Sequence, residues 1–241
     1  MRRYTAIVFL LAGILQSGMA QQQAPSGSVH GSFSIGVGGD LSKDVGDVYD
    51  ELAQNIRSFG IPLRTQTKFG RTMAMSADVL YNRFPSIGIG FSVGYSYSPA
   101  FSEYEDNAGS MSLNGSKQVY TICLKARATP ERFGKFPFIL NMQFGACHTV
   151  VSITQKVRFI NVPSANADWN LFTNTWGPYF QMTVGTSINL FGDFSLGAEG
   201  GLDYGFTKVP NAELDPMGTA KDQLGKELGP FGFVFLLSVG V

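Results

Sequence analysis

Few side chains in this sequence could carry chemistry, and their spacing restricts what that chemistry could be. His30 and His148 are the only imidazoles, and Cys123 and Cys147 the only thiols, in 241 residues. Neither cysteine belongs to a CxxC pair or to a Cys/His run at ligand spacing, so the sequence offers no metal centre. No cofactor motif accompanies them. His148 and Ser152 are the pair that most resembles a nucleophile and its base. Four residues apart on a strand, they share a face but stand roughly 13 Å from each other, too far for direct proton transfer. No carboxylate is placed to orient the imidazole, so no catalytic residue is assigned. What remains is a scattered polar set, Asp78, Lys125, Arg127, Gln143, Gln181, Glu199 and Asp203, in a chain that is otherwise poor in charge.

The elements that must position these residues are strands. From Ile87 to Ser98 the odd positions are Ile87, Ile89, Phe91, Val93, Tyr95 and Tyr97, and the even ones are all Gly or Ser. A period of two puts successive side chains on opposite faces of a pleat. A soluble surface strand would carry charge on its wet face. Here one face is large and apolar, ending in tyrosines, and the other is tiny, which suits a transmembrane barrel strand with its apolar face outward.

Composition agrees. Charged residues are 15% of the chain, against about 25% in an average soluble protein. Net charge is zero, so no nucleic-acid partner is indicated. Arg2 and Arg3, the apolar run from Ala6 to Leu15, and small Gly18 and Ala20 before Gln21 read as a signal peptide over residues 1–20. A short polar leader, 21–28, follows, and no later run is long and apolar enough for a membrane helix.

The same alternation predicts further strands at Val29–Val37, Gln66–Asn82, Lys117–Ala128, Phe136–Ser152, Asn174–Leu190, Phe194–Lys208 and Gly229–Val241. Between the first two, Val45, Val48, Tyr49, Leu52, Ala53, Ile56 and Phe59 recur at three and four, an amphipathic helix stopped by Gly60 and Pro62. The connections alternate long and short. Pro99–Gly115, Ile153–Thr173 and Val209–Leu228 are read as polar loops. The expected fold is therefore all-β, an eight-stranded antiparallel up-and-down transmembrane β-barrel over residues 29–241, with one short amphipathic helix in the first long loop. The even strand count places both termini on the periplasmic side. A soluble lipocalin-like barrel, with the apolar face turned inward around a ligand, would require a charged exterior. Gly88, Gly90, Ser92 and Gly94 are a poor one.

With strands, signal peptide and loop alternation in place, the sequence resembles the small outer-membrane β-barrel proteins of the OmpA/OmpX-like group. The resemblance covers Val29 to Val241 and rests on architecture. Many such proteins end on a terminal Phe, whereas this one ends at Val241 with Phe231, Phe233 and Phe235 further back. No peptidoglycan-binding domain is expected after the barrel. The resemblance implies the outer membrane of a Gram-negative-type bacterium, contact with outer-membrane lipid, insertion by the barrel-assembly machinery, a monomer, and an unidentified partner for the external loops.

A barrel of eight strands has an interior just wide enough for its own side chains. The phase turns Asp78, Lys125, Arg127, Gln143, Gln181, Glu199 and Asp203 into it, and acids and bases nearly balance, as buried charges must. The predicted role is a polar plug; a narrow channel is the alternative. The short turn after Leu190 sets Gln181 opposite Asp203 and Gly185 opposite Glu199, and predicts a Gln181–Asp203 contact. Cys123 and Cys147 face inward on neighbouring strands, a candidate disulfide in an exported chain. A register centred on Lys135 makes them direct partners, and one centred on Phe133 offsets them by two pairs. Outward aromatics such as Tyr81, Tyr95, Tyr97, Tyr120, Trp176, Tyr204 and Phe206 read as interfacial girdles. The expected function is structural or interactive at the cell surface, not enzymatic, with a narrow channel or a lipid-modifying enzyme as alternatives.

Overall fold

The computed structural model describes residues 27–40, 43–84, 86–129, 138–191, 194–206 and 231–241. The expected signal peptide, most of the polar leader, the Thr129–Lys135 turn apart from Thr129 itself, and the Val209–Leu228 loop lie outside them. Strands β1 (Ser28–Asp40), β3 (Arg71–Phe84), β4 (Ile87–Glu105), β5 (Gly109–Ala128), β6 (Ile139–Phe159), β7 (Ala167–Phe191), β8 (Phe194–Gly205) and β9 (Phe231–Gly240) pair antiparallel with their neighbours. Pairing of β1 with both β3 and β9 closes the sheet into a ring. Closure leaves the wall without an edge, the condition for a β-structure that crosses lipid.

The ring presents its large apolar residues outward. Val29, Phe33, Ile35 and Val37 of β1, Val79 of β3, Phe91 of β4, Ile122 and Leu124 of β5, Phe144 of β6, and Phe235 and Leu237 of β9 are all exposed. The alternate positions, including Asp78, Ser92, Lys125, Asn141, Gln143 and Glu199, are buried inside. This inverts the arrangement of a soluble domain, so the lipocalin-like topology does not apply.

Two features differ from the sequence reading. The segments Pro99–Gly115 and Ile153–Thr173 are not loops. They are continuations of β4, β5, β6 and β7, joined by short turns at 106–108 and 160–166, the latter with a 3-10 turn at Pro163–Ala165. These four strands run 19, 20, 21 and 25 residues, against 13, 12 and 10 for β1, β8 and β9. A tilted strand crosses a bilayer in about 9–11 residues, so one side of the wall stands well beyond it. The strand expected from Gln66 is also divided. β2 (Arg64–Thr67) pairs with β4 at Phe101–Glu103, on the edge of β4 that β3 takes nearer the termini, and β3 begins at Arg71 after Gly70, which takes φ +119°.

The helix α1 (Lys43–Ser58) follows β1 directly. It packs on the inner faces of the strand extensions. Val45, Val48, Tyr49, Ala53 and Ile56 form one core with Leu63, Ala100, Met111, Leu113, Val151, Ile153 and Leu171. Gly115 makes this approach feasible, because a Cβ there would lie 2.7 Å from the Phe69 ring and 3.1 Å from Tyr49. The helix is thus a plug at the tall end of the wall, and both ends of the described wall, Ser28 and Val241, lie at the opposite end.

Candidate functional site in the barrel lumen

The lumen is layered. In the half towards the termini, β3 contributes Asp78, whose Oδ2 receives Lys125 Nζ at 2.6 Å and the Ser32 hydroxyl at 3.1 Å. Beside it, Glu199 of β8 accepts from Asn141 Nδ2 at 2.7 Å and from the Thr183 hydroxyl at 2.8 Å. Arg127 donates through Nε to Asn141 Oδ1 at 3.1 Å and brings Nη2 within 3.9 Å of Glu199. Asn141 and Thr183 thus link the Arg127 side of the layer to Glu199, as a buried charge network requires, while Lys125 meets Asp78 directly and the second Asp78 oxygen, Oδ1, has no protein partner.

The next layer holds Gln143, whose Nε2 donates to Gln181 Oε1 at 2.7 Å. Gln181 does stand opposite Asp203, and Gly185 opposite Glu199. The hydrogen bond of Gln181 nevertheless goes across the other seam, to β6. Above lies a cavity of about 60 Å³, bordered by Ser76, Ser98, Gln143, Tyr179, Gln181 and Asp203. The Ser76 and Ser98 hydroxyls have no protein partner, so the cavity offers polar partners and room for ordered water. At its top, Lys117 Nζ meets Asp40 Oδ2 at 2.7 Å. Asp40 ends β1 immediately before the plug, so this pair ties the root of α1 to the far wall.

The plug completes the stack. Tyr49 is 1% exposed; its hydroxyl donates to the Leu113 carbonyl at 2.9 Å and lies 2.9 Å from Ser102 Oγ. Its ring meets Phe69 edge-on at 5.5 Å. Arg57, at the end of α1, donates to the Leu63 carbonyl and the Thr65 hydroxyl, and Gln66 donates to Glu103. β2 thereby clamps the helix to the wall.

The polar network expected from sequence does not include Asp40, Lys117, Asn141 or Thr183, and Tyr49 is expected only on the apolar face of the helix. Asp40 looks like the start of a turn after two glycines. Lys117 and Asn141 were in phase with the inward positions and could have been found from alternation alone. Cys123 and Cys147 are both free thiols, packed with Val119 and Tyr179. The β5–β6 register falls midway between the two expected, with Cys123 opposite Gly145 and Thr121 opposite Cys147. The cysteines are diagonal neighbours, at a typical separation near 7–8 Å, longer than the usual Cα span of a disulfide. No group of metal-ligating side chains occurs among the described residues.

On the outside, His148 stands in a cross-strand row with Tyr95, Tyr120 and Trp176. Its ring stacks on Trp176 at 4.6 Å and 18°, with Tyr120 at 6.2 Å and Tyr95 a further 5.1 Å along. Ser152 faces Phe172 and Ser116, two rows away from His148.

No family model and no curated protein matches the chain. Solved structures show similarity along most of its length. One is Ail, the attachment invasion locus protein of Yersinia pestis, in complex with the heparin analogue sucrose octasulfate, at 12% identity and TM-score 0.39 over 89% of this chain and 99% of that one. A second structure of Ail gives 13% identity and TM-score 0.32 over 90% and 100%. The outer membrane protease OmpT from Escherichia coli gives 9% identity and TM-score 0.28 over 91% and 98%.

Proposed function

We propose that this protein is an integral outer-membrane barrel with its termini in the periplasm, closed to solutes by its own interior, and that its role is structural or interactive at the cell surface. The observation that carries the reading is the filled bore beneath an apolar-faced helix. Charge pairs and amides occupy the terminal half, and α1 sits across the tall half. The surface left for recognition is then the raised part of β4 to β7. A lipid-modifying role for His148 lacks support, since its ring is held between Tyr120 and Trp176 and Ser152 lies two rows away. Barrel-assembly machinery and membrane lipid are the partners that this reading requires.

The test is folding in detergent followed by planar-bilayer recording. The expected result is a compact β-rich species that shifts on boiling and inserts with no steady conductance. Steady ion conductance from the intact chain would replace this reading with the channel. A chain that stays soluble without detergent would remove the membrane reading itself.

A further inference from the structure

The outer face of β4 to β7 changes character at the aromatic row. Below Tyr95, Tyr120, His148 and Trp176 it is apolar. Above it come three successive cross-strand rows of uncharged residues on β5, β6 and β7. These are Gln118–Val150–Asn174, then Ser116–Ser152–Phe172, then Asn114–Thr154–Asn170. Charge returns only in the following row, with Lys156 and Asp168. Phe172, Trp176, Asn114, Asn170 and Asn174 are exposed. Tyr120 donates its hydroxyl to Gln118 Oε1 at 2.9 Å, which fixes that amide and leaves its N–H groups pointing away.

We propose that this face binds the neutral sugars of the outer-leaflet glycolipid, and the proposal rests on the outer-membrane reading above. Position and chemistry both select that occupant. Rows are two residues apart, so the face from His148 to Thr154 extends roughly 20 Å along the strand, or about 15 Å in height at a barrel tilt near 40°. The polar zone of a bilayer leaflet is only about 5–7 Å deep. The three rows therefore start at the headgroups and end beyond them, where a glycolipid carries its first sugars. Phosphate recognition would place Lys or Arg in these rows, and none is there. Aromatic faces beside amides and hydroxyls instead match a hexose, which offers a C–H face for stacking and a rim of hydroxyls. The face is continuous with the lipid-facing belt, so a membrane-anchored glycan meets it without diffusing from solution.

The test uses the two tryptophans of the chain, Trp169 and Trp176. In the folded Trp169→Phe protein, held in a detergent without a sugar headgroup such as lauryldimethylamine oxide, Trp176 is the sole indole reporter. Titration with dephosphorylated core oligosaccharide released from lipopolysaccharide is expected to give a saturable fluorescence change. Asn170→Ala/Asn174→Ala, both exposed changes, should weaken it at least about fivefold with unchanged heat-modifiable mobility. No saturable change, or the same affinity in the double variant, overturns the proposal. So does a response seen only with the phosphorylated oligosaccharide, or only with lipid A that carries no core sugars. Self-association through this face in sedimentation would likewise overturn it. Failure of the outer-membrane reading shows separately, as solubility without detergent.

Discussion

Lys125 on β5 reaches Asp78 on β3 at 2.6 Å across the whole width of β4. The strand between them lies in register as Gly90 and Ser92, with Gly90 opposite Lys125 and Ser92 opposite Asp78. The tiny inward face of the Ile87–Ser98 stretch is thus the floor over which the ion pair forms. A larger residue at Gly90 would also strike the neighbouring wall, since a Cβ there would meet the Val79 carbonyl. The pair is 3% and 0% exposed. Removing one partner leaves a buried charge, which costs about 3–5 kcal/mol. Lys125→Met is expected to lose that much in reversible urea unfolding from detergent micelles, and Lys125→Met/Asp78→Leu to recover most of it. A single variant as stable as the parent would mean that the pair contributes nothing.

The plug is predicted to open independently of the ring. It is held by the Tyr49 hydroxyl, the Phe69 ring, an apolar core and the Arg57 bonds to the Leu63 carbonyl and Thr65, whereas the ring is a closed ladder. Tyr49→Phe removes the buried hydroxyl that donates to the Leu113 carbonyl, a loss of about 1 kcal/mol. Gly115→Val would displace Phe69 and Tyr49 together. Amide hydrogen exchange is expected to accelerate over α1 and β2 in both variants, most in Gly115→Val, while β1, β8 and β9 stay protected. Uniform acceleration over the ring would show instead that plug and barrel open as one unit.

The part of the wall in contact with a constant apolar surrounding was legible, because lipid outside and crowding inside impose one phase on each strand. The extensions were not, and β5 shows why. Below Val119 towards the termini its outward residues are Tyr120, Ile122 and Leu124; above, its inward residues are Met111 and Leu113. The period of two continues unbroken, but the apolar residues change face where the wall leaves the membrane and begins to enclose α1. β6 does the same, from Phe144 outward to Val151 and Ile153 inward. In sequence, such an inversion looks like the end of a strand. The ion pairs were hidden for another reason: Lys125–Asp78 depends on registers across two seams, and alternation carries phase but not register.

The two thiols are predicted to stay reduced and shielded. Cys123 and Cys147 are 2% and 0% exposed, and their diagonal placement keeps the sulfurs from direct pairing. A maleimide reagent should label neither cysteine in the folded protein and both after boiling in detergent, with no reductant needed. Gel mobility should be the same with and without dithiothreitol. Labelling that requires reductant would establish a bridge and, with it, a local shift of the β5–β6 seam.

The turns at the tall end carry two carboxylates with depressed pKa values, each with its own partner. Asp106 accepts from the Tyr104 hydroxyl at 2.7 Å, the largest cause, and from the backbone N–H groups of Ala108 and Gly109 at 2.8 and 3.0 Å. Asp168 is lowered chiefly by its hydrogen bonds with the Arg158 guanidinium, one of them 2.8 Å long. Both carboxylates titrate below the ordinary unfolded value of about 3.9. Their contribution to the turns is therefore complete above that value and is lost as pH falls through the lower folded one. Ala108 and Gly109 amide resonances are expected to titrate with a midpoint below about 3.9, and Asp106→Asn should abolish that titration. Loosening of the 160–166 turn should follow protonation of Asp168 on the same acid side, with no change between pH 5 and 8. A midpoint at or above the unfolded value would mean that the Tyr104 and Arg158 contacts do not hold in solution.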